Sequence, residues 1–206
     1  MPRPLPLPVT LQARLLHARS LLTRLLLTPL LVPLLAAPAM AQQVVPAQSE
    51  IAFVSKQMGV PVEGRFKQFS AAVSFDPKKP EAAKIAFTIQ TGSASFGSAE
   101  TDAEVPKAPW FNVAKFPTAS FQSSAVKALG GGKFEVRGAL NIKGASHDVV
   151  VPVTVSQAGP ASTAVGSFTL KRLDFKIGDG EWADTSMVAN DVTVKFKLAL
   201  SGMAPL

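Results

Sequence analysis

Hydrophobic and polar positions alternate with a period of two along most of the chain beyond residue 41. Ile51, Phe53 and Ser55 share one face, with Glu50, Ala52, Val54 and Lys56 on the other. The same alternation puts Phe69, Ala71, Val73 and Phe75 together, and likewise Ile85, Phe87 and Ile89. Further on it groups Phe134, Val136, Gly138, Leu140 and Ile142, and finally Val192, Val194, Phe196, Leu198 and Leu200. A run of this kind is a strand with one face on a core and the other in water. Residues 118–127, 148–156 and 162–173 are apolar enough to bring the set to eight strands. Asp76-Pro77-Lys78-Lys79-Pro80, Gly130-Gly131-Gly132, Gly144-Ala145-Ser146 and Gly159-Pro160 punctuate them as turns. Only residues 99–108 suit helical turns, limited by Pro106 and Pro109. The pattern describes one antiparallel β domain over residues 42–206, either a sandwich or a closed barrel.

The first 41 residues follow a different rule. Arg14, His17, Arg19 and Arg24 precede an apolar run from Leu25 to Ala37, and Ala39-Met40-Ala41 supplies a small-x-small cleavage pattern. With Pro29 and Pro33 inside it, the run is too short for a stable membrane span. This is the pattern of a secretory signal peptide cut near Ala41, and it predicts a periplasmic protein starting at Gln42. The leader also distorts the composition. It holds 14 of the 21 leucines and no phenylalanine, so all 13 Phe belong to the β domain. Setting aside its four arginines takes Lys+Arg from 21 to 17 against 14 Asp+Glu, and the formal charge from +7 to +3. That balance gives no electrostatic footprint for nucleic acid. The absence of cysteine excludes disulfides, thiolate nucleophiles and cysteine metal sites.

Catalytic chemistry finds little purchase. The β domain has one histidine, His147, in a polar turn between Ser146 and Asp148. Consecutive residues of an extended chain point to opposite faces, which argues against a triad there. Its bland reading is a solvated side chain. Glu100, Asp102 and Glu104 read as the solvated start of a helix rather than a calcium loop. No spacing suggests a metal site or a resident cofactor.

Three stretches carry a resemblance. Residues 108–123 hold a paired aromatic, a Phe-Pro step and a strand: APWFNVAKFPTASFQS. Gly138-Ala139-Leu140-Asn141-Ile142-Lys143-Gly144 is followed by the apolar strand 149–155. Residues 168–178 read FTLKRLDFKIG, with Trp182 and the last strand after them. Together with the opening 49–75 segment, in this order, they resemble the YceI-like family of exported, lipocalin-like proteins. Asn112 stands where many relatives carry an acid. The resemblance implies an all-β, eight-stranded antiparallel lipocalin-like barrel with a short helical insertion. It also implies an internal apolar tunnel for isoprenoid lipids, polyprenyl chains and quinone tails among them, and links with membrane cytochromes of the b561 type.

On that implication the tunnel lining is Phe53, Phe66, Phe69, Phe75, Phe87, Phe111, Phe121, Phe134, Leu140, Phe168, Leu170, Phe175, Trp182 and Phe196. Arg172 near a strand end is the polar residue for the mouth, where it would meet a head group; an ion pair with Asp174 is the alternative. All the apolar positions would equally serve a solid core. A non-enzymatic carrier or store of isoprenoid lipid is therefore the leading expectation. A solid-core barrel acting as a protein-interaction or stress-response module, or a quinone-linked accessory of a membrane cytochrome, are its rivals. Monomer and dimer are both compatible with a closed barrel, which has no edge strands to pair.

Overall fold

The computed structural model describes residues 42–206, so the expected leader and cleavage site lie outside the described residues. The alternating runs form one antiparallel sheet curled into a barrel wall. Its strands are β1 (Gln43–Val44), β2 (Glu50–Gln57), β3 (Val60–Phe66), β4 (Phe69–Ser74), β5 (Lys84–Gln90) and β6 (Ala94–Ser95), then β7 (Thr118–Gly130), β8 (Lys133–Ile142), β9 (Ala145–Ala158), β10 (Ala161–Lys171) and β11 (Asp191–Ser201). Hydrogen bonding runs β4-β5-β7-β8-β9-β10-β11-β2-β3-β6, with β1 also on β11.

The eleven segments occupy eight positions around the wall, because three positions are each filled by two consecutive pieces. Both β1 and β2 pair with β11, at its two ends. Downstream, β3 and β4 are separated only by Lys67 and Gln68, and β5 and β6 by the turn Thr91–Ser93. The expected count of eight thus survives as positions but not as segments. Strand β3 in particular lies where the alternation gave no strand. Pro61, Glu63, Gly64 and Arg65 make its sequence read as a loop, yet it ladders with β2 from Ile51↔Phe66 to Gln57↔Val60.

Tight hairpins keep the wall in register. Gly131 and Gly132 take φ of 59° and 74°, and Met58-Gly59 and Lys143-Gly144 likewise turn with both φ positive, as a two-residue type I′ hairpin requires. Strand β7 carries a bulge between Ser123 and Ala125, which shifts its inward set from Ala119 and Phe121 to Val126. That shift is why residues 118–127 alternate poorly. Beside the bulge, the Ser123 hydroxyl accepts from the Ile85 amide at 2.9 Å.

One end of the barrel is shut. Gln42 donates its amide N–H to Val73 at 3.0 Å. Its buried side chain grips Phe75 twice, accepting from the amide at 2.7 Å and donating to the carbonyl at 2.9 Å. Phe75 in turn meets Phe134 edge-on at 5.0 Å. The other end carries the only α-helix among the described residues, α1 (Ala99–Glu104), capped by the Ser98 side chain.

Candidate functional site

Inward side chains alternate large and small around the wall, and the pairing is specific. Phe53 lies opposite Gly64 on β3, and Phe196 lies opposite Gly166 on β10. A Cβ on Gly64 would stand 2.4 Å from the Phe53 ring, and one on Gly166 would stand 2.3 Å from Phe196. Gly138 serves Phe121 in the same way, at 2.5 Å. The tip of each ring leans into the space that a β-carbon would take on the neighbouring strand.

The space that results has two chambers. The lower, about 150 Å³, is lined only by apolar side chains, including Phe75, Phe87, Phe121, Phe134, Leu140, Phe168 and Phe196. The upper, about 370 Å³, is lined by Phe53, Phe66, Phe111, Leu140, Phe168, Leu170, Arg172 and Trp182, among others. Ile51, Ile89, Leu140, Phe168 and Val194 border both chambers and form a waist between them. A wholly apolar cavity of this size stays dry, and apolar guests enter it without displacing bound water.

The upper chamber opens between α1, the β2–β3 hairpin and the β10–β11 connection, where Met58, Met187 and Trp182 are 72%, 47% and 38% exposed. Trp110 packs on Trp182 with ring centroids 5.5 Å apart. The helix is held over the opening by Asp102. Its carboxylate accepts from the Phe96 amide at 2.6 Å and from the Ser95 hydroxyl at 2.8 Å, and these bonds hold it below the usual aspartate range. Phe96, which the alternation left unassigned inside a Ser/Gly loop, also lines this chamber and meets Phe53 edge-on at 5.2 Å.

Two of the expected lining residues have other places, and the expected mouth residue has another role. Phe175 is 2% exposed and packs outside both chambers, its ring 4.9 Å from His147. Phe69 is half-buried beside the core, on a groove at the break between β3 and β4. Arg172 borders the upper chamber but offers no free donor to a head group. It is 1% exposed, and each of its five N–H groups reaches a backbone carbonyl: Ala189 from Nε, Ile177 and Gly178 from Nη1, and Trp182 and Val188 from Nη2, at 2.6–3.1 Å. Burial pushes its guanidinium below the ordinary arginine value. Its task is to fold the β10–β11 connection into the rim, and no ion pair with Asp174 forms. His147 is exposed, with Nε2 3.0 Å from the Asp174 carbonyl.

A family model described as the YceI-like domain matches residues 42–200. A UPF0312 protein of Azotobacter vinelandii is 36% identical over 115 residues, which is 54% of this chain and 60% of that protein, so less than two thirds of that relative is spanned. One from Ectopseudomonas mendocina is 33% identical over 147 residues, 66% of this chain and 77% of that protein. Among solved structures, Burkholderia cenocepacia BcnA matches with a TM-score of 0.74 and 44% identity, covering 76% of this chain and 99% of that one. A polyisoprenoid binding domain from Saccharophagus degradans matches with a TM-score of 0.64 over 80% of this chain and 99% of that one; at 18% identity it speaks for the fold alone. The motif order, the barrel and the match over residues 42–200 agree, and the chain belongs to the YceI-like family.

Proposed function

We propose that the protein is a non-enzymatic carrier or reservoir of isoprenoid lipids, polyprenyl chains and quinone tails, acting in the periplasm. The observation that carries this reading is the waisted cavity, lined only by apolar side chains in its lower chamber and open at one end. A ten-residue strand such as β8 spans roughly 33 Å, and tilt shortens the enclosed run to about 20–25 Å. That suits an extended branched chain better than a compact metabolite. The Saccharophagus degradans neighbour is named for polyisoprenoid binding, which supports the same class.

Moving a methylene from water into such a cavity gains about 0.8 kcal/mol. Most of that gain vanishes when the chain comes from a bilayer, whose acyl tails are equally apolar. The protein therefore acts by holding lipid in aqueous transit rather than by stripping membranes. Delivery of a quinone to a b561-type membrane cytochrome is the partner reading that accompanies it. Added protein should then change quinone-dependent electron flow in membranes; no effect at saturating protein removes that partner.

The direct test is to export the protein, purify it without detergent, extract it with organic solvent and identify the lipid by mass spectrometry. A stoichiometric prenyl lipid or quinone is the expected result. Empty protein that also refuses added prenyl alcohols sinks the proposal. An intact mass that begins at Gln42 is expected in the same preparation.

A further inference from the structure

We infer that the mouth discriminates by charge: the lipid held here has a neutral or cationic polar end, and phosphorylated prenyl chains are rejected. This rests on reading the cavity as a lipid site and narrows the class of lipid it takes.

A phosphate or diphosphate head is bound by cationic side chains or by free N–H donors. Among the described residues, Arg172 is the one cation lining the upper chamber, and all five of its N–H groups are already committed to carbonyls. Lys143, buried near the same rim, is equally spent. Its three N–H groups meet the Pro109 carbonyl at 3.0 Å, the Lys176 carbonyl at 2.5 Å and the Asp179 carboxylate at 3.5 Å. Both cations hold the rim together and neither can turn to a ligand without breaking it.

The charged groups left on the lining are carboxylates. Glu100 and Glu104 stand one turn apart on α1 and both border the upper chamber. Lys107 pairs with Glu104, while Glu100 makes no ion pair among the described residues. Ser55, Gln57 and Thr101 complete the polar part of the lining. A prenyl alcohol can donate to a carboxylate there, a quinone carbonyl can accept from a hydroxyl or amide, and an amine gains an opposite charge. A diphosphate meets like charge there, and because both carboxylates are exposed the repulsion is strongest at low salt and screened as salt is raised. The cations Arg65, Lys67 and Lys197 line a separate groove on the outer wall, with Phe66 between it and the chamber; of these, the Lys67 charge reaches Asp102 on α1, but none borders the chamber itself.

The test titrates the detergent-free protein with geranylgeraniol and with geranylgeranyl diphosphate, read by the fluorescence of the two mouth tryptophans. At low salt the alcohol should bind at least tenfold more tightly, with the gap narrowing as salt is raised. Glu100→Lys should tighten the diphosphate severalfold and leave the alcohol within twofold. Diphosphate binding equal to or tighter than alcohol binding overturns the charge discrimination while leaving the lipid reading intact. So does a gap that Glu100→Lys does not change. If neither ligand binds, the lipid reading fails and takes this inference with it.

Discussion

Filling the lower chamber separates its energetic cost from its use. Ala164 points inward on β10 between Val155 of β9 and Leu198 of β11, and its methyl borders the lower chamber. Ala164→Leu adds three carbons to dry apolar space. At about 0.8 kcal/mol each this gains at most about 2.4 kcal/mol. Ordering the longer side chain costs about 0.5–1 kcal/mol, leaving about 1.5 kcal/mol of added stability. For a domain of this size that raises Tm by about 3–6 °C. The same carbons occupy the space that a long chain needs below the waist. Thermal melts and tryptophan titrations with geraniol and geranylgeraniol should therefore diverge. The variant melts higher, holds the short alcohol about as well, and loses at least severalfold in affinity for the long one. Destabilisation by more than about 1 kcal/mol would mean the chamber is already packed to overcrowding. Higher stability with unchanged binding of the long alcohol would mean that no chain passes the waist.

Three further outcomes follow from the clasps. Arg172→Lys supplies three donors for five buried carbonyls, and at about 1–3 kcal/mol for each orphaned group it should lose about 3 kcal/mol or more, read as a lower urea midpoint; an unchanged midpoint refutes the staple. Gln42→Ala removes both side-chain bonds to Phe75 and should speed amide exchange at Phe75 ahead of global unfolding, at a cost of about 1–3 kcal/mol; exchange as slow as in the parent protein would show that the shut end holds without it. Asp102 has a folded pKa below its unfolded value, so its hold on the Phe96 amide is full above about pH 4 and is lost as pH falls through the lowered value. Acidification should loosen the Phe96 amide in the parent protein, and Asp102→Ala should be loose throughout with no such dependence; identical acid profiles would refute the clasp.

What could be read from sequence was whatever a dry interior writes into alternation. The inward sets of β2, β4, β5, β8 and β11 stand in the structure as the period-two pattern places them. Strand β3 stayed hidden because its inward position opposite Phe53 must be glycine, and a glycine between Glu63 and Arg65 leaves no apolar mark. A one-residue bulge erased the alternation of β7. At the site, inward phenylalanines were legible, but which of them face empty space and which face one another was not. Phe175 and Phe121 look alike in sequence; one plugs the rim and the other borders the lower chamber. Arg172 stands out in the sequence as a cation near a strand end, but its role does not. Its partners are carbonyls scattered over residues 177–189, and backbone acceptors carry no side-chain signature.

The pairing of β1 has a kinetic consequence. Gln43 and Val44 ladder with Ser201 and Leu200, so the first and last strands of the barrel meet each other. Above them β2 also waits for β11. Contacts this remote in sequence make folding slow, because the loop they close must be ordered before any of it is rewarded. Until β11 is present, β10 and β2 are open edges, each able to add a strand from another chain. Folding of this protein is a contest between the arrival of its last strand and the capture of those edges by a second copy.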